Sequence, residues 1–237
     1  MDWAVQCAAV IPCRNEAATI EKLLREVRGY VSTVIVVDDG STDNTALLAA
    51  RAGAEVLRHD RSQGKGAALR TGLQRACQRA FPWALLLDGD GQHCPEDIPG
   101  FFQCAERTGA SLVVGNRLSD SAPMPWLRRQ VNRWMSARLS QVAGHVLPDS
   151  QCGFRLLKLA AWAALDLRTQ HFEIDSEVLL AFLLAGQPVE FVPIRVIYKT
   201  EQSKIHPWID TWRWLHWLWI GRKKVRSPKS KAVTTDD

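Results

Sequence analysis

Leu85-Leu86-Leu87-Asp88-Gly89-Asp90-Gly91-Gln92-His93 is an apolar run that stops abruptly at two carboxylates two residues apart. A short apolar run closed by a turn reads as a buried strand, whose tip then projects Asp88 and Asp90 on a glycine-flexed loop. Mg²⁺ and Mn²⁺ take oxygen ligands and keep positions open for substrate phosphates, so such a tip suits a divalent ion together with a diphosphate. A solvated Asp-Gly turn is the plain alternative for an isolated triplet of this kind. A calcium EF-hand is excluded. Counted from Asp88, that loop needs Gly at its sixth position and Glu at its twelfth, where this chain has His93 and Pro99.

Working outward, strand-like and helix-like runs alternate upstream: Val5 to Ile11, Ala17 to Val27, Val31 to Val37 and Thr45 to Ala52. A short strand near Ala54 to Leu57, a helix from Gly66 to Ala80 and the strand Trp83 to Leu87 follow. Pro95 to Glu106 then reads as a helix opened by proline, and Ser111 to Gly115 as the next strand. Alternation of this kind predicts an α/β fold with a parallel sheet and crossover helices, and such sheets bind ligands beyond the carboxyl ends of their strands. The second half is less regular. It offers a basic helix near Trp126 to Val142, a segment Asp149 to Leu157, an apolar helix from Ile174 to Ala185 and a strand Val189 to Val196.

At 237 residues and 46% hydrophobic, the chain is long enough to bury one sizeable core. Its six cysteines form no CxxC pair and no regular spacing, which points away from a zinc site or a disulfide framework and toward reduced thiols in the cytosol. Met1 to Gln6 lacks the basic flank and long apolar stretch of a secretory signal. No uninterrupted apolar run reaches the roughly 18 to 20 residues that span a bilayer. A formal charge of +5 implies an anionic partner, whether nucleic acid, phospholipid or phosphorylated substrate.

A second acidic loop follows Ile35-Val36-Val37, where Asp38-Asp39-Gly40-Ser41-Thr42-Asp43 joins two acids to a glycine turn and a helix cap. A capped turn accounts for Asp43 but not for the Asp38-Asp39 pair, which can accept hydrogen bonds from a ribose or a base edge. Neither GxGxxG nor GxxxxGK[ST] occurs, and Gly64-Lys65-Gly66 has the spacing of neither, so dinucleotide and ATP-type folds are unsupported.

Taken in order, Ile11-Pro12-Cys13-Arg14-Asn15-Glu16, Val37-Asp38-Asp39-Gly40-Ser41-Thr42-Asp43, Gly64-Lys65-Gly66, Asp88-Gly89-Asp90-Gly91-Gln92 and Gly115-Asn116-Arg117 resemble the inverting, GT-A-fold family 2 glycosyltransferases typified by dolichyl-phosphate mannose synthase. The likeness continues through Gly153-Phe154-Arg155, Phe172-Glu173-Ile174-Asp175 and Ser203-Lys204-Ile205. The resemblance implies a GT-A domain over residues 1–205 and a nucleotide-sugar donor. It places Pro12, Asn15 and Glu16 in the nucleotide pocket, Asp39 at the nucleoside, Lys65 near the diphosphate, and Asp88 and Asp90 on the metal with Gln92 as a third ligand. A divalent cation there neutralises charge developing on the leaving diphosphate, while the anomeric carbon passes through an oxocarbenium-like state.

The acceptor is read from the arginines. Arg117 at a strand end and Arg128, Arg129 and Arg133 on the next helix can clamp a phosphate bidentately, and by the resemblance Arg117 and Arg129 match residues that bind a polyprenyl phosphate. A solvated helix face is the alternative for Arg128 and Arg133. A phosphate acceptor is already anionic; a hydroxyl acceptor on a glycolipid or envelope saccharide needs a carboxylate base, for which Asp149, Glu173 and Asp175 are the candidates.

Residues 206–222 hold five of the ten tryptophans on an amphipathic helix with Asp210, Arg213 and His216 as a polar stripe, followed by Arg222, Lys223 and Lys224. This composition suits a peripheral helix on the cytosolic face of a membrane. Residues 223–237 read as a disordered basic tail. A tryptophan-rich nucleic-acid-binding module is disfavoured, since two acidic loops would repel a phosphate backbone.

Overall fold

The computed structural model describes residues 1–118, 124–197 and 211–219. Its elements are α1 (Trp3–Gln6), β1 (Cys7–Cys13), α2 (Ile20–Val27), β2 (Thr33–Asp38), α3 (Thr45–Arg51), β3 (Glu55–Arg58), α4 (Lys65–Gln78), β4 (Trp83–Leu86), α5 (Ile98–Thr108), β5 (Leu112–Asn116), α6 (Trp126–Ala143), β6 (Arg155–Lys158), α7 (Leu159–Ala163), α8 (Ile174–Leu184) and β7 (Val189–Pro193). A 3₁₀ turn, Pro95–Asp97, leads into α5, with its proline at the start as expected.

The apolar runs make strands because both faces of the sheet are covered. β1 is buried at every position but Pro12, and β4 at all four of its residues. Among the described residues, seven strands form one sheet in the order β3-β2-β1-β4-β6-β5-β7. β1 is parallel to β2 and β4, β2 to β3, and β5 to β7, whereas β6 is antiparallel to both neighbours, β4 and β5. Six strands therefore point one way and end at a single edge, and β6 starts from that same edge. Every motif read from the sequence in the described residues lies on a loop there or on a helix that opens from one.

Two differences from expectation have physical causes. The first strand starts at Cys7 rather than Val5, because Trp3 turns into a short helix to stack on Phe102 at a centroid distance of 4.5 Å. The segment Asp149 to Leu157, left without a state in the sequence, supplies β6. Four residues, beginning at Arg155 and ending at Lys158, are too few for periodicity to show.

The chain divides into two units, Met1–Glu201 and Gln202–Asp237. The expected boundary between residues 205 and 206, the Ser203-Lys204-Ile205 motif and the basic tail lie outside the described residues. In the second unit residues 211–219 are helical, and Trp212, Leu215 and Trp219 are exposed at i, i+3 and i+7. Among the described residues no helix is long and apolar enough to cross a membrane.

α4 crosses β1 and β2 closely, and a Cβ at Gly72 would run into Val10 Cγ1 and stand 3.0 Å from Val37 Cγ2. Gly72→Ala should therefore cost about 1–3 kcal/mol by overpacking, despite alanine's helix preference. Gly100 on α5 faces open space, so Gly100→Ala should gain up to about 1 kcal/mol. Urea unfolding of the two variants checks both signs.

Candidate active site

The loop after β1 is tied to the loop after β2. Asn15 takes a left-handed backbone (φ 53°), so its N–H donates to Ser41 Oγ at 2.9 Å while its side-chain Oδ1 accepts Thr42 N–H at 2.9 Å. The Glu16 N–H donates to Thr45 Oγ1 at 2.8 Å, and Pro12 sits half-buried at the end of β1. One turn on, the Thr19 hydroxyl donates to Gly89 O at 2.7 Å and so ties the first loop to the acidic one. Gly89 must be glycine: a Cβ there would lie 2.5 Å from Cys13 Sγ. Thr19 carried no motif, and its role was invisible in the sequence.

Asp38 and Asp39 are both buried. Asp39 Oδ1 pairs with His59 Nδ1 and accepts the Gln63 N–H, both at 2.8 Å. Its Oδ2 accepts the Ser62 hydroxyl at 2.8 Å and the Gly64 N–H at 2.9 Å. Burial alone would raise its pKa; the donors outweigh burial and hold the carboxyl below its ordinary value. The contacts of Asp39 thus pin the 59–64 loop, which delivers the chain to α4. The sequence had placed Asp39 at a nucleoside and had not singled out His59.

Lys65, the first residue of α4, reaches two acids. Its Nζ lies 2.7 Å from Asp88 Oδ1 and 2.9 Å from Asp175 Oδ2. Burial pushes the Asp88 carboxyl up, but the Lys65 ammonium above all, with His93 and Arg117, brings it down to about 2. Lys65 is itself raised: burial works against its charge, and Asp175 and Asp88 overcome burial. The backbone of Gly153 closes over this group, since a Cβ there would be 2.6 Å from Asp88 Oδ2 and 2.8 Å from Lys65 Nζ.

Beyond Asp88, Asp90 Oδ1 accepts the Gln92 N–H at 2.9 Å. His93 is buried against Phe154 and accepts the Asp88 N–H at Nδ1 over 3.3 Å, so it shapes the loop from within. Among the described residues no group of three or more His, Cys, Asp or Glu could hold a metal. The donors at this tip are the carboxylates of Asp88 and Asp90 and the Gln92 amide. Such a small all-oxygen set fits Mg²⁺ or Mn²⁺ sharing its coordination with a diphosphate and water.

Arg117, expected from the sequence to meet an acceptor phosphate, stands at the end of β5. Its Nε and Nη2 donate to Asp149 Oδ2 and Oδ1 at 2.8 and 2.9 Å, and its backbone N–H adds a third bond to Oδ2 at 3.1 Å. Burial would raise Asp149, and the facing guanidinium lowers it below the usual carboxylate range. Arg155, fully buried at the start of β6, donates to the carbonyls of Cys152, Asp175 and Ser150 at 2.7, 2.6 and 3.2 Å. It thereby joins the Asp149 loop to α8. Glu173 is buried at the start of α8, and among the described residues its Oε2 has no hydrogen-bond partner. Arg128 and Arg129 are half-buried on α6 and Arg133 is exposed there.

An acid-tipped strand at the loop-bearing edge of a mostly parallel sheet is the architecture of GT-A glycosyltransferases, and comparison with known proteins agrees. The UDP-N-acetylglucosamine–dolichyl-phosphate N-acetylglucosaminyltransferase of Methanococcus voltae is 29% identical over 82% of this chain and 86% of its own length. The undecaprenyl-phosphate mannosyltransferase of Micrococcus luteus is 30% identical over 79% and 82%. The glucosyl-3-phosphoglycerate synthase of Mycobacterium tuberculosis, solved with Mn²⁺ and UDP-glucose, matches with a TM-score of 0.72 at 19% identity, over 95% of this chain and 80% of that one. Residues 8–163 match the family described as glycosyl transferase family 2, to which this chain belongs.

Lys65→Met leaves Asp88 and Asp175 without their cation and should destabilise the fold by about 3 kcal/mol near neutral pH. Asp88 is depressed in the folded state, so its contribution is present above the ordinary carboxylate range and lost as pH falls toward about 2. The gap between wild type and variant, measured by urea unfolding, should therefore narrow below about pH 4. A gap that does not change with pH would show that charge is not what Lys65 contributes.

Proposed function

We propose that the chain is an inverting, divalent-metal-dependent glycosyltransferase that moves a sugar from a nucleotide diphosphate to a polyprenyl phosphate at a membrane surface. The observation that carries the acceptor half is that two of the three candidate bases are already held by cations, Asp149 by Arg117 and Asp175 by Lys65. Asp149, lowered below the usual carboxylate range by the facing guanidinium, is a poor proton acceptor, and a phosphate monoester, being anionic, needs none. The names of the relatives from M. voltae and M. luteus, both acting on a polyprenyl phosphate, support the same acceptor.

On this reading Pro12, Asn15 and Glu16 line the nucleotide pocket, and Asp88, Asp90 and Gln92 hold Mg²⁺ or Mn²⁺. That ion supplies charge neutralisation on the departing diphosphate. The protein's own part is to fix the donor: Thr19 holds Gly89, Asp39 holds the loop before Lys65, and Lys65 restrains Asp88. Arg117, kept in place by Asp149, and Arg129 and Arg133 on α6 orient the acceptor phosphate for displacement at the anomeric carbon. The exposed tryptophans of the 211–219 helix favour a peripheral site on a membrane.

A second reading keeps the donor and makes the acceptor a hydroxyl, with Glu173 as base, because its buried Oε2 is without a partner among the described residues. Purified protein with radiolabelled nucleotide sugar and polyprenyl phosphate should give an acid-labile, lipid-extractable product in a chelator-sensitive reaction. Asp90→Asn should lower transfer roughly a hundredfold or more. In thermal unfolding it should abolish the extra stabilisation that Mn²⁺ adds to a nucleoside diphosphate. Glu173→Gln should leave transfer to a phosphate within a few-fold; loss of all activity in that variant would favour the hydroxyl acceptor.

A further inference from the structure

The outward face of α6 has no part in holding the donor, yet it is unusual in composition. Between Met124 and Pro148 the chain has Arg128, Arg129, Arg133 and Arg138 and no Asp or Glu. One side of the helix is packed: Asn132, Met135, Ser136 and Leu139 are buried. The other side carries Trp126, Leu127 and Trp134, exposed by 73, 68 and 40%, with Val146 just beyond the helix at 90%. Arg133 and Arg138 are exposed on that same side, the Arg138 guanidinium lying 5.8 Å from the centre of the Trp134 ring.

We infer that this face of α6 docks on an anionic lipid bilayer, with Trp126, Leu127 and Trp134 in the headgroup layer and the arginines against lipid phosphates. Apolar and aromatic side chains beside an all-basic set are what an interfacial helix needs, and neither signal alone anchors a protein well. Charge complementarity selects the occupant. A second copy meeting this face through a two-fold axis would bring arginines against arginines, a like-charge contact that costs affinity, whereas anionic lipid gains from each one. The packed side connects the surface to the chemistry. Ser136 Oγ accepts the Ser150 N–H at 2.9 Å, next to Asp149, which grips Arg117. Docking α6 therefore brings the acceptor side of the site to the lipid surface. The inference deepens the lipid-acceptor reading and, for its purpose, rests on it.

The test uses the full chain and sedimentation with phosphatidylcholine vesicles, with and without phosphatidylglycerol. The wild type should bind the anionic vesicles, and less so as salt rises. With the C-terminal helix intact and the circular dichroism unchanged, the double variant Trp126→Ser, Leu127→Ser should bind roughly tenfold more weakly or worse. Arg138→Gln should lose roughly fivefold. The double variant should also keep transfer to a water-soluble short-chain polyprenyl phosphate and lose transfer to the same head group embedded in vesicles. Unchanged vesicle binding by both variants overturns the inference. So does a wild-type dimer, or an oligonucleotide complex, that the double variant abolishes while vesicles are not bound. If the wild type transfers to neither acceptor but the variants still lose vesicle binding, the acceptor reading fails and the docking surface stands.

Discussion

The site depends on the ammonium of Lys65 standing between Asp88 and Asp175, because that contact joins three elements distant in sequence: the start of α4, the end of β4 and the start of α8. The glycines around it exist for closeness. A Cβ at Gly64 would lie 2.5 Å from Gln170 O, one at Gly66 2.6 Å from Thr169 O, and the Gly66 N–H donates to Gln170 O at 2.7 Å. Only a bare backbone lets α4 open against the 169–171 segment and aim its first side chain at both acids. A buried ion pair is weak support for net stability, since desolvation offsets most of the attraction; its value here is geometric. Two carboxylates and one ammonium also leave the group with one negative charge, which repels a bare diphosphate and attracts a cation.

The order of elements was legible wherever the chain gave long periodic or uniformly apolar runs. β1, β2, β4, β5 and their crossover helices were each expected within a few residues of where they lie, because burial on both faces of a parallel sheet writes itself as continuous hydrophobicity. β6 was not legible. It is short, charged at both ends, and inserted antiparallel between β4 and β5, a placement set by tertiary pairing such as Leu86 with Arg155 rather than by local pattern. Its one clue was an arginine abutting the apolar pair Leu156-Leu157. A buried guanidinium has to be satisfied, and Arg155 meets three carbonyls.

For the site, the sequence showed which residue types end the strands but not which of them hold each other. Asp39 and Arg117 were read as facing ligands; each is engaged by the protein, Asp39 by the 59–64 loop and Arg117 by Asp149. Nothing in the spacing of residues 39 and 59, or 117 and 149, encodes such pairs, because they arise from loops that meet only once six strands share an edge. Support residues such as Thr19, His59 and Gly153 escaped for the same reason. Their roles are distances, and a sequence carries none.

That distribution of partners bears on the chemistry more than the motifs do. A transferase that deprotonates its acceptor needs a carboxylate able to receive a proton at the moment of attack, and placing a guanidinium in bidentate contact with Asp149 works against that. Placing an anionic acceptor near the same guanidinium works with it, because Arg117 is then pre-oriented by Asp149 and loses little rotamer freedom on binding. Four arginines and no acids on α6, beside the loop that carries Asp149, extend the same field outward. The electrostatics around Arg117 are therefore those of a positively charged surface suited to the phosphate acceptor proposed above, with Asp149 holding a cation in place.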